Sequence, residues 1–286
     1  MSAPPENTCL PAASKEDASI WPTPTLSSLT DSQVSLLTNY VQVPLDSVIP
    51  HILAIREKAW SIHPRPYIGQ LRFLVLTLSE SPSYSAILTH LKNDPNAKLL
   101  DLGCCFGQDI RKLIYDGAPA SSIYGAELRS EFIELGFDCF RDRETIGATF
   151  LTANIFDPDS PLKGLEGKMN VVNIGLFLHQ FDWNGQCKAC ERIVALLKPE
   201  KGVLVIGQQV GSLVQSDVVF RGGKNVTRQS EESFRRLWEE VGERTGSEWV
   251  VKARLDEGFG ENVGEGTGAW DDADTRRLSF EVERVE

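Results

Sequence analysis

The 286-residue sequence is poor in several things, and each shortage excludes a class of protein. It holds no run of 18 apolar residues, so no transmembrane helix is expected. Its 29 Lys and Arg are outnumbered by 40 Asp and Glu, giving a formal net charge of −11. None of the basic residues cluster into a block, which argues against a nucleic-acid partner. Six cysteines spread along this length are too sparse for a secreted disulfide scaffold. Cys187 and Cys190 form a C-x-x-C, but no second pair of ligands accompanies them and the apolar helical period runs on through Ile193, Val194 and Leu197. They are expected to be buried helix cysteines, and no metal site is expected. The N-terminal stretch MSAPPENTCLPAASKEDAS lacks both a basic and an apolar region, so no signal peptide and a cytoplasmic location are expected.

What remains is ordinary globular material, 41% hydrophobic and 24% charged. Residues 1–19 carry no periodicity and are expected to be a disordered tail. Residues 20–96 show a helical pattern. Thr30 or Asp31 is the expected N-cap of TDSQVSLLTNYV, and Val48, Ile52, Ile55 and Trp60 fall near one face of the next helix. QLRFLVLTL and SPSYSAILTHLKND predict two more helices. This helical prelude is expected to cap the larger domain C-terminal to it.

From Ala97 to Glu286 the pattern alternates strand and helix. Strands are predicted in KLLDLG, IYGAEL, ATFLTANIF, MNVVNIGLFLH, GVLVIGQQVG, EWVVKARL and RRLSFEVERV. The expected fold is α/β: a Rossmann-like, seven-stranded, mainly parallel sheet with an antiparallel last strand, preceded by the helical cap. In such sheets ligands sit beyond the carboxyl ends of the strands, at the point where strand order reverses. Three strand ends therefore matter.

The first is LLDLGCCFGQDIRKL. Asp101 closes the strand, and Gly103 and Gly107 follow at G-x-x-x-G rather than at the G-x-G-x-x-G spacing of a pyrophosphate site. A carboxylate two residues before the first glycine suits a ligand with a positive amino-acid end. Cys105 stands where a middle glycine is usual, so backbone geometry compatible with a side chain is expected there. The second is IYGAEL, where Glu127 comes 20 residues after Gly107 and can accept both hydroxyls of a ribose, with Leu128 beside it. The third is LTANIF, where Asn154, Ile155 and Phe156 meet the place of an adenine edge and face. Asp157 competes for that polar contact, and capping a local turn is the alternative role for Asn154.

These stretches in this order resemble the class I S-adenosylmethionine-dependent methyltransferases. DLGCCFGQDIRKL, ELGFDCFRDR, RIVALLKP and ESFRRLWEEVGERTG resemble more narrowly the fungal methyltransferases of meroterpenoid pathways, and the segment IHPRPYIGQLRFL extends the resemblance back to about Trp21. The resemblance implies S-adenosyl-L-methionine as cofactor, a small-molecule hydrophobic acid as substrate and a homodimer as a possible state. It also implies methyl-esterification of a carboxyl group on a polyketide–terpenoid intermediate.

A carboxylate acceptor is already ionised and needs no general base, whereas a phenol would benefit from one. His179, just after the fourth strand, is the candidate base, with a packing role as its alternative; Asp182 and Trp183 are candidates for the rim. Arg65, Tyr67 and Gln70 in the cap are candidates for gripping a carboxylate and an amphipathic substrate body, and Phe177 and Phe181 for an apolar acceptor wall. Trp60 and Phe73 are as well suited to the core. The alternatives kept open are a phenol, thiol or C-methyltransferase on the same fold and a catalytically silent scaffold.

Overall fold

The computed structural model of the chain describes residues 23–219, 224–257 and 273–286; the expected tail at residues 1–19 lies outside them. Thr30 caps α1 (Asp31–Ser35). Its hydroxyl accepts from the Gln33 amide while Gln33 Oε1 accepts from the Thr30 amide, a reciprocal capping box. After a single π-turn at Leu36–Tyr40, α2 (Val48–Ile62) buries Val48, Ile52, Ile55, Ala59 and Trp60 on one stripe. A short α3 (Pro66–Gly69) follows.

The helix expected in QLRFLVLTL does not form. Leu71 takes a left-handed conformation (φ 56°), one 3-10 turn covers Arg72–Leu74, and the chain is extended at Val75 before turning again over residues 77–80. The reason is burial on two sides. Phe73, Leu74 and Leu76 enter the core of the cap, while Leu78 enters the core beneath the sheet, a division that one helical stripe cannot make. Side chains supply the backbone's missing partners: Gln33 Nε2 donates to Leu74 O at 2.9 Å, and the Leu78 amide donates to Asp109 at 3.0 Å. The cap ends with α4 (Tyr84–Asn93).

The sheet domain then alternates β1 (Leu99–Leu102), α5 (Gln108–Tyr115), β2 (Ile123–Glu127), α6 (Ser130–Phe140), β3 (Thr149–Thr152), β4 (Val171–Asn173), α7 (Trp183–Leu196) and β5 (Leu204–Ser212). A hairpin of β6 (Ser216–Val219) and β7 (Asn225–Arg228) comes next, then α8 (Glu231–Thr245), β8 (Trp249–Asp256) and β9 (Thr275–Arg284). Strand order in the main sheet is β3-β2-β1-β4-β5-β9-β8. β1 to β5 are parallel, and β9 runs against both its neighbours, β5 and β8. The last strand is thus reversed, as expected, and it lies inside the sheet. The β6–β7 hairpin forms a separate two-stranded sheet, which the sequence pattern does not announce.

Every residue of β1 and β4 is buried, as strands covered on both faces must be. Leu100, Val172 and Val205 pack toward α7 and α8, and Leu99, Val171 and Ile206 toward α4 and α5. The cap is not separately cored. Its cluster includes Phe106, Phe132, Leu135 and Phe140 of the sheet domain, so the N-terminal helices and the loop after β1 share one apolar body. Trp60 and Phe73 belong to it. Cys187 and Cys190 are fully buried in α7.

Candidate active site

The chain crosses from β3 back to β4 on the other side of β1, which places the switch point between β1 and β4. The loop leaving β1 is tied down at every turn. The amides of Gly103 and Cys104 both donate to Ala126 O (2.7 and 3.1 Å), and the Gly107 amide donates to Cys104 O at 2.7 Å. Gly103 and Gly107 have φ of 77° and 70°, and a Cβ at Gly103 would lie 2.8 Å from the Phe177 ring. These two positions demand glycine for conformation and space together.

Cys105 departs from expectation. Its φ is 52°, the left-handed region that favours glycine, so the turn keeps glycine geometry despite the side chain. Two contacts hold it there: its amide donates to Glu127 Oε2 at 3.1 Å, and its side chain packs against the cap cluster. Behind the loop, the fully buried Arg111 donates to the carbonyls of Phe106 (2.5 Å) and Gly107 (3.2 Å). Gly136 of α6 lets that helix approach Phe106 O, where a Cβ would collide.

Glu127 stands at the end of β2, half-buried, with Oε1 accepting from the Arg129 amide at 3.1 Å. Burial pushes its carboxyl upward in pKa, against the backbone amides of Arg129, Cys105 and Leu128 that favour its charged form. Leu128 is half-buried next to it. Asn154 Oδ1 accepts from the Phe156 amide at 3.0 Å, so the local-turn role is realised; one lone pair of that oxygen is left for another donor. Ile155 is 5% exposed and belongs to the core, which leaves half-buried Phe156 with the more accessible face. Asp157 is exposed, and its Oδ1 accepts from the Asp159 amide. Phe156, Phe181 and Phe177 form a chain of edge-to-face contacts at 5.1 and 5.4 Å, joining the loop after β3 to the loop after β4.

The expected cofactor fits these residues on one structural observation. At the switch point, Asn173 Nδ2 donates to Asp101 Oδ1 at 2.8 Å, and Asn173 Oδ1, in a residue 1% exposed, has no partner among the described residues. Burial holds Asp101 well above the usual carboxylate range, and Asp109 and Glu127 push it the same way. A site with a surplus of acceptors suits a ligand whose end carries positive donors, as S-adenosylmethionine does.

His179, the candidate base, lies in the 3-10 turn Leu178–Gln180 after β4, half-buried. Its Nδ1 is wholly enclosed and has no partner among the described residues. Its pKa is lowered to about 3, by burial first and then by the positive charges of Arg72 and Arg228. Neither arginine is legible as a site residue in the sequence. Arg72 comes from the cap, and its Nε donates to Gln70 Oε1 at 2.7 Å. Arg228 is 3% exposed on the β6–β7 hairpin. That hairpin is stitched to the His179 turn: the Thr227 amide donates to Phe181 O, and Gln186 Nε2 bridges Phe181 O and Thr227 O.

Gln70 is thus linked to the His179 neighbourhood through Arg72. Arg65 is engaged elsewhere: it is 5% exposed, and its Nε donates to His63 Nε2 at 2.7 Å. That bond requires a neutral His63, whose pKa burial and the charges of Arg65 and Arg129 lower to about 3. Tyr67 is half-buried against the cap cluster. Asp182 caps α7 through the Gly185 amide at 2.7 Å, and Trp183 Nε1 donates to Glu240 at 2.9 Å, so both rim candidates have structural partners.

A seven-stranded sheet of this order, with a glycine turn after β1 and an acidic end to β2, has the architecture of the S-adenosylmethionine-dependent methyltransferase class. Comparison with known proteins narrows it. Residues 21–74 match the family described as the meroterpenoid methyltransferase N-terminal domain. Over 255 residues the chain is 50% identical to an O-methyltransferase of Stereocaulon alpinum, covering 87% of this chain and 71% of the relative. It is 39% identical to an O-methyltransferase of a fungal species, covering 87% of each. It is 34% identical to the asnovolin E/chermesin D methyltransferase of Aspergillus novofumigatus, covering 76% of this chain and 78% of the relative. Among solved structures, a 1,6-didemethyltoxoflavin-N1-methyltransferase of Burkholderia thailandensis with bound S-adenosylhomocysteine aligns over 83% of this chain and 91% of that one, at 14% identity and TM-score 0.49. The chain belongs to this fungal family of S-adenosylmethionine-dependent methyltransferases.

Proposed function

We propose that the chain methylates the carboxylate of a hydrophobic small acid of polyketide–terpenoid type, forming a methyl ester. The observation that carries this reading is the enclosure of His179, whose Nδ1 has no partner among the described residues to charge or orient it as a base. With its pKa lowered to about 3 it is neutral at physiological pH and a feeble base, badly matched to removing a phenolic proton. Burial is the first cause of that lowering, and the charges of Arg72 and Arg228 act in the same direction.

When bound, the cofactor would supply an electrophilic methyl group on a positively charged sulfur, and a carboxylate acceptor would present an oxygen with no proton to remove. The chain's own residues have three tasks. Glu127 and Asn154 orient the nucleoside, Asp101 takes the amino-acid end, and Phe156, Phe177 and Phe181 exclude water from the line of transfer. The relatives named as O-methyltransferases support oxygen as the accepting atom, and the meroterpenoid description of residues 21–74 supports the acceptor class. A cap segment at residues 20–96 would cover the acceptor.

The test is to incubate the purified chain with S-adenosylmethionine and a farnesylated dihydroxybenzoic acid, then treat the product with mild alkali. An ester that saponifies back to the starting acid, formed also by His179→Gln within about tenfold of the wild-type rate, is expected. A methylated product that resists alkali is a phenol ether, and that outcome would replace the carboxyl reading with the phenol one.

A further inference from the structure

We infer that Gln186 is a positioning residue for the methyl acceptor: its buried side-chain amide clamps Phe181, and with it the aromatic wall that starts at the loop after β1, to the β6–β7 hairpin. The inference rests on the loop after β4 facing the acceptor, as proposed above, and not on which acceptor atom is methylated.

The wall begins at Gly103, where the Phe177 ring packs so close that a Cβ would lie 2.8 Å from it. Phe181 backs Phe177 at a ring separation of 5.4 Å, and Phe156 of the loop after β3 meets the Phe181 ring at 5.1 Å. Lys224, just before β7, brings its Nζ to 5.5 Å from that ring. Phe177 is half-buried and forms the open end of the row, while Phe181 is its buried anchor.

The loop that carries these rings is strained. Leu176 has φ 54°, the left-handed region that a side chain disfavours, and such a residue persists only where its surroundings over-determine it. The loop is tied at both ends. The Leu176 amide donates to Gln208 O of β5 at 2.7 Å. At the other end Phe181 O accepts twice, from the Thr227 amide and from Gln186 Nε2, each at 3.0 Å.

Gln186, the fourth residue of α7, is fully buried and both protons of its amide are used. Besides Phe181 O, Nε2 donates to Thr227 O at 2.7 Å, and Oε1 accepts from Gln229 Nε2 at 2.9 Å. Gln229 Oε1 accepts in turn from the Ser233 hydroxyl of α8. One amide therefore joins the His179 loop, the hairpin and the first turns of two helices in a network whose members fix one another. A side chain of the same length without N–H groups cannot hold two carbonyls at once.

The experiment is steady-state kinetics and calorimetry on the full chain carrying Gln186→Met, close to glutamine in shape. Cys190→Ala, a buried truncation one turn further along α7, is the control for a merely structural loss. With the farnesylated dihydroxybenzoic acid, Gln186→Met should raise the acceptor KM about tenfold or more, with kcat and the Kd of S-adenosylhomocysteine within about threefold of wild type. Cys190→Ala should lower Tm and leave that KM within about twofold. An unchanged KM for Gln186→Met would overturn the inference. So would a rise shared by Cys190→Ala, or one matched by an equal loss of S-adenosylhomocysteine affinity, since Gln186 would then act on the fold as a whole. Should Gln186→Met not fold, Gln229→Met, which unties the amide without touching Phe181 O, is held to the same outcomes. If wild-type protein leaves this acid unmethylated, the acceptor reading itself has failed, and amide hydrogen exchange decides on Gln186. Exchange over residues 176–182 and 225–229 about tenfold or more faster in Gln186→Met than in Cys190→Ala supports the clamp, and equal protection refutes it.

Discussion

Removing the carboxylate of Asp142 should be the most damaging single change outside the pocket. Arg111 is fully buried, and Asp142 is 4% exposed. They meet at two points, Nε to Oδ2 at 2.7 Å and Nη2 to Oδ1 at 2.9 Å. The remaining guanidinium nitrogen, Nη1, holds the carbonyls of Phe106 and Gly107, and the Phe140 ring lies 4.5 Å from the guanidinium carbon. Asp142 also accepts from Tyr40 of the cap at 2.7 Å, so one carboxylate joins cap, helix and cofactor loop. Asp142→Ala leaves a guanidinium buried without its counter-ion, which costs about 3–5 kcal/mol. With an unfolding entropy of about 2.1 cal/mol/K per residue, 4 kcal/mol corresponds to a fall in Tm of roughly 7 °C for a chain of this length. Thermal and urea unfolding followed by circular dichroism would measure it. Arg111→Met with Asp142→Leu should recover much of the loss, since a well-packed apolar pair often replaces a buried ion pair at little cost. A loss under about 1 kcal/mol for Asp142→Ala would refute the reasoning, because the arginine would then be neutralised by something other than this carboxylate.

Two further perturbations test the loop and the buried charges. Cys105→Gly relieves a left-handed residue, worth about 1–2 kcal/mol, but frees the unfolded chain and gives up packing against the cap; it should stay within about 1 kcal/mol of wild type, whereas Cys105→Val should lose about 2 kcal/mol or more. Equal stability of the two variants by urea denaturation would show that the left-handed turn carries no strain. His179 and Asp109 should show opposite pH dependences. His179 titrates near 3 in the folded chain against 6.5 unfolded, so the unfolded chain takes up the proton first and stability falls as pH drops below about 6.5. Burial raises Asp109 from 3.8 to about 7, so its proton is held longer in the folded chain and stability is lost as pH rises from about 4 to 7. His179→Gln should therefore gain on wild type toward acid and Asp109→Asn toward neutral pH, each by up to about 1.4 kcal/mol per pH unit. The same sign for both variants in denaturation series across pH would contradict the assignments.

The strands, their helices and the reversed last strand were legible because each is written in a local period, and the three strand ends were legible because their spacing is fixed by one βαβ unit after another. Distant pairs left no such trace. Arg111 finds Asp142 31 residues away, and Tyr40 reaches it across 102. Arg228 reaches the His179 turn on a hairpin whose alternation is only four residues long on each strand. Asn173 looks in sequence like one more residue of a buried strand, and only the register with Asp101 reveals that its amide has a side to spare. The segment QLRFLVLTL misleads for a related reason. Apolar residues buried on two opposite sides read as a dense helical stripe in sequence, while the packing that separates them comes from elements far along the chain.

Cys105 shows how the loop and the cap constrain each other. A cysteine in place of glycine predicts a relaxed turn, yet the turn is dictated by its ties: two amides on Ala126, one on Glu127 and the Gly107 amide on Cys104. None of those bonds involves the Cys105 side chain, so they hold the backbone in glycine geometry alongside the packing of that side chain. The side chain instead enters the apolar cluster of the cap, next to Phe106, whose ring lies 4.7 Å from that of Phe73 at a tilt of 44°. Packing of the cap is thereby connected to the same peptide unit whose amide orients Glu127. Asp109 does the same from α5, accepting from the Thr77 hydroxyl at 2.8 Å, and Thr77 in turn lies against Gly175 in the loop after β4. The cap therefore touches the cofactor loop and the His179 loop through separate contacts. A change that loosens its core should weaken cofactor binding and acceptor binding together.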